Sequence, residues 1–230
     1  MSLLPPRTFS ATTRPFQRTA LGFAALVLLY ILLTFALKDR VPWYTDAADG
    51  LSLLINLAAV AALAYAAHRS SRLGRRVTTA WWLLVAAQAV YCLADLVLIT
   101  LTRVQGEAPY LSIADVLYLV YYPLFIAGLL TLPIEPLDHY ARIKITLDLA
   151  IMMVSAVLLS WNFIFAPALA QHGNGSLAEL IISVVYPAFD LVLFLVLLRL
   201  LFRQSKLYAP ALILLEAGIA FLIIGDILYN

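Results

Sequence analysis

The sequence predicts an all-α fold, a polytopic membrane helix bundle built of repeated helical hairpins. Three observations lead there. Hydrophobic residues make up 64% of the 230 and charged residues 12%, against about 25% charged in an ordinary soluble domain, and the mean hydropathy is +0.96. Apolar runs recur at close to the ~20 residues an α-helix needs to cross a bilayer. A polar-marked unit, Ser112-Ile-Ala-Asp-Val-Leu-Tyr-Leu-Val-Tyr-Tyr-Pro123, returns 64 residues later as Ser176-Leu-Ala-Glu-Leu-Ile-Ile-Ser-Val-Val-Tyr-Pro187. Ser112, Ala114, Asp115 and Tyr122-Pro123 match Ser176, Ala178, Glu179 and Tyr186-Pro187. The polar positions carry the match, and a membrane segment does not accept those freely.

Residues 1–18 are polar, with Pro5-Pro6 and Arg7, Arg14 and Arg18, and read as a cytoplasmic tail. A signal peptide is disfavoured, because the next apolar run is long and ends on Lys38-Asp39-Arg40 where a small-residue cleavage site would fall. Residues 19–230 then form the bundle. Seven runs are expected to cross: Ala20–Leu37, Gly50–Ala67, Ala80–Leu101, Ser112–Leu132, Ile143–Ala166, Ser176–Leu200 and Pro210–Tyr229.

Basic residues set the orientation. With the N-terminus inside, 12 of the 15 Lys and Arg fall in inner segments, and the outer segments hold only Lys38, Arg40 and Arg103. This bias predicts a cytoplasmic N-terminus. Trp43, Tyr44, Tyr110 and Trp161 then lie near the outer interface and Trp81 and Trp82 near the inner one, as an aromatic belt requires. Each repeat spans two crossings, so the copies are parallel, unlike the inverted repeats of many secondary transporters. The chain stops at Gly225-Asp-Ile-Leu-Tyr-Asn230 without a polar tail. Ala94-Asp95 resembles Gly225-Asp226, 131 residues on and near two repeat lengths. The seventh run is therefore expected to open a further hairpin, with an eighth crossing beyond Asn230.

Ser112-x-x-Asp115 and Ser176-x-x-Glu179 fit capping boxes, in which serine and acid each satisfy an orphan helix-start N–H. A cap alone would account for them. Helical spacing adds a second aspect. Asp115, Tyr118 and Tyr122 share one face, as do Glu179, Ser183, Tyr186 and Asp190, and as do Gln88, Tyr91 and Asp95. Lipid does not solvate such stripes, so they should turn inward. Asp95 lies about 9 Å from the outer end of its helix by helical rise. Asp190 lies deep in the sixth run, one turn after Pro187. Asp95, Asp115, Tyr118, Tyr122, Glu179, Tyr186 and Asp190 are thus candidates for a ligand-binding polar pocket. It would open outward, lined by the third, fourth, sixth and seventh runs. The alternative is interhelical hydrogen bonding that only holds the bundle together. Asp148 is expected to find a basic partner such as Lys144, one turn before it.

Other chemistry is not indicated. Cys92 is the one cysteine, so no internal disulfide or thiolate metal set exists. His139 and His172 fall on opposite sides of the membrane and cannot share a haem, while His68 reads as interfacial. No H-E-x-x-H, G-x-S-x-G or Walker loop occurs. The seventh run has no lysine for a retinal Schiff base. Asn174-Gly-Ser176 fits the N-glycosylation pattern only as a short match. No catalytic residue, metal or cofactor is expected, and the net charge of +2 gives no ground for nucleic-acid binding.

Pro109, Ser112, Ala114-Asp115, Tyr118-Leu119, Tyr122-Pro123 and Gly128-Leu-Leu130, preceded by Trp82 and Ala94-Asp95, resemble the multi-pass N-terminal input region of bacterial signalling proteins. In that family the membrane region precedes a cytoplasmic output module, commonly a diguanylate cyclase or a sensor histidine kinase. The resemblance covers residues 80–230. It implies a sensory domain in the bacterial inner (plasma) membrane, with any enzymatic activity in an output module absent from this sequence. The partners it implies are the lipid bilayer, a small ligand or membrane signal and, as a homodimer, a second copy of the chain. A small-solute transporter or channel, and a purely structural anchor, are the competing expectations.

Overall fold

The computed structural model describes residues 43–106, 112–133, 138–166 and 177–201, with a few isolated positions elsewhere. Among the described residues there is no strand. They form α1 (Tyr44–Ser70), a 3-10 turn (Ser71–Leu73), α2 (Arg75–Gln105), α3 (Ile113–Thr131), α4 (His139–Ser160) running into a π turn (Trp161–Phe165), and α5 (Leu177–Leu201). The helices α1 to α4 are each long and apolar enough to cross a membrane. The five helices carry the second to sixth apolar runs. The first and seventh runs, and with them the count of seven crossings, lie outside the described residues. The chain divides into two compact units, Met1–Ala59 and Val60–Asn230, and the packing below belongs to the second.

Local chemistry sets the helix ends. Gly74 breaks the chain between α1 and α2 with φ +111°, a conformation that side-chain-bearing residues rarely adopt. Thr78 Oγ1 ties this turn together by donating to the carbonyls of Ser70 and Gly74, both at 3.1 Å. Gly106, at φ +80°, closes α2 and donates its N–H to Thr102 O at 2.9 Å. Asp138 starts α4, its Oδ1 accepting from Ala141 N–H at 2.9 Å. Within the helices, hydroxyls bond back to their own backbone: Thr100 to Leu96 O, Thr131 to Ala127 O and Ser155 to Ile151 O. This keeps hydroxyl groups satisfied where water is scarce. The helix α2 extends beyond its apolar run at both ends, since Arg75, Arg76 and Arg103 lie within it.

The core is an antiparallel hairpin of α2 and α3. Val77, Ala80, Leu84, Ala87 and Ala94 are buried, with Tyr91 partly so. They recur every three and four residues in turn. Facing them, Ala114, Tyr118, Tyr121, Phe125, Gly128 and Leu132 recur in the same 3.5-residue rhythm, the seam of closely paired helices. Asp95 meets Tyr118 at one end of the hairpin, and Arg76 Nε donates to Thr131 O at 3.0 Å at the other. A second face of α3, with Tyr122 and Leu129, meets α5, where Asp190, Leu193, Leu197 and Leu200 are buried at the same spacing. Asp115 of α3 meets Tyr186, while Tyr122, further along, meets Phe189 and Asp190. Partners advance together along both helices, so α3 and α5 run in the same direction.

The outside is apolar. Leu93, Leu96, Val116, Ile151, Leu159 and Val192 are exposed, and α4 has no buried residue. Aliphatic residues face outward while Tyr121, Tyr122 and Asp190 are buried, the arrangement that suits a lipid solvent.

Candidate functional site

Three tyrosine–carboxylate links cluster where α2, α3 and α5 meet. The residues come together because of sequence spacing. Asp115, Tyr118 and Tyr122 follow one face of α3, and Tyr186 and Asp190 lie four apart on α5. Tyr118 donates its hydroxyl to Asp95 Oδ1 at 2.5 Å, joining α3 to α2. Tyr122 donates to Asp190 Oδ1 at 3.2 Å, joining α3 to α5. Tyr186 donates back from α5 to Asp115 Oδ1 at 3.4 Å and lies 3.5 Å from the Asp115 carbonyl oxygen. The helices α3 and α5 thus exchange links, each supplying one phenol and one acid.

Asp115 has two roles on its two oxygens. Its Oδ2 accepts from Ser112 N–H at 2.7 Å and from the Ser112 hydroxyl at 3.2 Å, while Ser112 Oγ accepts from Ala114 N–H at 3.1 Å. This is the expected capping box. Oδ1 remains directed to Tyr186 on the neighbouring helix. The cap-only reading of this acid is therefore incomplete. The second box falls elsewhere: Ser176 and the side chains of Glu179 and Ser183 lie outside the described residues.

Aromatic rings frame the links. Tyr91 meets the edges of Tyr118 and Tyr121, each at 5.2 Å between centroids. Tyr122 stacks on Phe189 at 5.0 Å and meets the edge of Tyr186 at 6.0 Å. Such pairs contribute about 0.5–1.5 kcal/mol each beyond their burial. Interhelical hydrogen bonds in membranes average only about 0.6 kcal/mol. The rings therefore supply most of the holding energy, and the hydrogen bonds set which faces meet. Asp190 is 6% exposed, so its carboxyl depends on protein partners such as Tyr122 for the solvation it has lost.

The links differ in quality. An ordinary O–H···O bond spans 2.5–3.0 Å. The Tyr118–Asp95 bond is at the short end of that range, and the two α3–α5 bonds are longer than it allows. The helices α2 and α3 also pack along their length, with a Cβ at Gly128 placed 2.8 Å from Leu84 Cδ2. The hairpin is close-packed, and the junction between α3 and α5 is the looser of the two.

Six of the seven candidate residues are thus brought together as pairs: Asp95 with Tyr118, Tyr122 with Asp190, Tyr186 with Asp115. Sequence reasoning missed Tyr121 and Phe189, because aromatic rings in an apolar run look the same whether they face lipid or a neighbour. Asp148 and Lys144 form no ion pair with each other among the described residues. No group of His, Cys, Asp and Glu among the described residues stands close enough to hold a metal ion. No protein-family model, curated protein or solved structure matches the chain.

Proposed function

We propose that this chain is the membrane-embedded input region of a bacterial signalling protein, N-terminus cytoplasmic, passing an external or membrane signal to a cytoplasmic output module. The observation that supports it is the contrast between the tight Tyr118–Asp95 link within the α2–α3 hairpin and the long Tyr122–Asp190 and Tyr186–Asp115 links between α3 and α5. A sensor needs two packings of similar energy and a signal that prefers one. A junction joined through phenol–carboxylate bonds can rearrange while its partners stay hydrogen-bonded to a ligand or to each other. A ligand offering hydroxyl or cationic groups would compete for Asp115 and Asp190 and shift α5 against the hairpin.

A second reading has its own support. Each of these carboxylates already has a phenol from another helix, which is what polar packing without a ligand requires. One experiment separates the two. The full-length protein, output module included, is assayed in membrane vesicles for cyclic dinucleotide synthesis and for autophosphorylation, with Asp190→Asn and Asp95→Asn beside the parent. A changed level or signal dependence of output supports the input role. Unchanged output, with lowered thermal stability as the sole effect, leaves the structural anchor. Solute uptake by vesicles holding this region alone would favour a transporter.

A further inference from the structure

The hairpin geometry collects positive charge at one end of the bundle. Arg69, Arg72, Arg75 and Arg76 lie within eight residues around the α1–α2 turn, and all four are exposed. Short connection to α3 brings the start of α4, with Arg142 and Lys144, to the same end. Among the described residues none of the four arginines makes an ion pair. Among the described residues of the α3–α4 connection the acid is Asp138, whose Oδ1 accepts from Ala141 N–H as a helix cap. Arg75 and Arg76 also occupy the first turn of α2, with no acid there, so the positive end of the helix dipole adds to the charge instead of offsetting it. Among the described residues no acid side chain offsets these like charges, which makes the turn a favourable place for an anion.

Position says which one. The turn joins two helices long and apolar enough to cross a membrane, so it lies at headgroup level. Tyr65 is exposed, with the Arg69 guanidinium 5.9 Å above its ring, a cation–aromatic pair suited to the interface. Trp82, 50% exposed, sits two turns into α2. Arg76 is anchored through Nε to Thr131 O, and Thr78 fixes the turn. The patch is therefore held in place against the hairpin. We infer that the α1–α2 turn is a binding surface for anionic phospholipid headgroups, with Arg69, Arg72 and Arg75 contacting phosphate. Guanidinium groups match phosphate geometry through paired N–H donors. This inference rests on the membrane location alone and is independent of the signalling role.

The test uses the full chain in neutral detergent micelles with Trp82 as the sole tryptophan (Trp43→Phe, Trp81→Phe, Trp161→Phe). Brominated phosphatidylglycerol or brominated phosphatidylcholine is titrated, and quenching of Trp82 reports lipid beside the turn. Phosphatidylglycerol should quench at several-fold lower concentration. The Arg69→Gln, Arg72→Gln, Arg75→Gln triple should abolish that preference, and the corresponding Lys triple should keep most of it. Should the Gln triple lose helix by circular dichroism, Arg72→Gln alone carries the comparison. Equal quenching by the two lipids, or a preference unchanged in the neutral variant, overturns the inference. So does loss of the preference in excess inorganic phosphate but not in chloride of equal ionic strength, which would assign the patch to a soluble anion.

Discussion

Gly128 on α3 rests against Leu84 on α2 so closely that an added Cβ would lie 2.8 Å from Leu84 Cδ2, 2.9 Å from Leu84 Cγ and 3.2 Å from the Leu84 backbone nitrogen. The first two atoms belong to a side chain that can turn aside. The third belongs to a helix that cannot. Gly128→Ala should therefore destabilise the bundle modestly and Gly128→Val by about 1–3 kcal/mol, the usual cost of overpacking. Thermal unfolding in detergent measures both. Leu84→Ala introduced beside Gly128→Ala should recover part of the loss if this contact is its cause.

Tyr122 and Asp190 give an asymmetric pair of substitutions. Tyr122→Phe keeps the ring on Phe189 but withdraws a donor from a buried carboxyl, and should cost about 1–3 kcal/mol. Asp190→Asn keeps an acceptor for the Tyr122 hydroxyl and should cost less. A double-mutant cycle on unfolding free energies should return a favourable coupling near the membrane average of about 0.6 kcal/mol. A coupling of zero would show that the two side chains do not depend on one another.

The Ser112 cap predicts where the hairpin frays. Ser112→Ala should destabilise the start of α3 by about 0.5–2 kcal/mol. The change should appear as faster amide exchange at Ala114 and Asp115, with little effect around Phe125. Asp115→Ala removes the acid half of the capping box and the Tyr186 acceptor together, so it should also weaken the α3–α5 junction. Amide exchange along α5 near Tyr186 would register that second effect.

Charge asymmetry predicts sidedness. In a Cys92→Ala background, Arg103→Cys should react with a membrane-impermeant maleimide in intact cells. Arg72→Cys should react only after the membrane is opened. The reverse pattern would overturn the cytoplasmic placement of the N-terminus.

Much of the hairpin was legible in the sequence, for physical reasons. Asp95, Asp115, Tyr118, Tyr122, Tyr186 and Asp190 stand out because hydrocarbon penalises them, and helical spacing alone put them on shared faces. Ser112 and Asp115 announced the start of α3 through capping chemistry. Which tyrosine meets which acid was not legible, since pairing depends on helix direction and register that no single helix encodes. The Ala80, Ala87 and Ala94 seam was hidden as well. In a membrane, lipid and protein interior are both apolar, so the contrast that marks a buried face in water is missing. The ends of α2 were misplaced because Arg75 and Arg103 look like loop residues, although a helix can carry arginines out to the headgroups.

The π turn at Trp161–Phe165 fits one residue more into the ladder than an α turn would. It behaves as a stored insertion at the far end of α4. Deleting one residue there should let the α-helix run through and leave the neighbouring faces in phase. The same deletion in the middle of α2 would rotate everything beyond it by about 100° and pull the alanine seam off α3. Shortening at that turn is thus better tolerated than in the middle of α2, since Trp161, Asn162 and Phe163 are exposed.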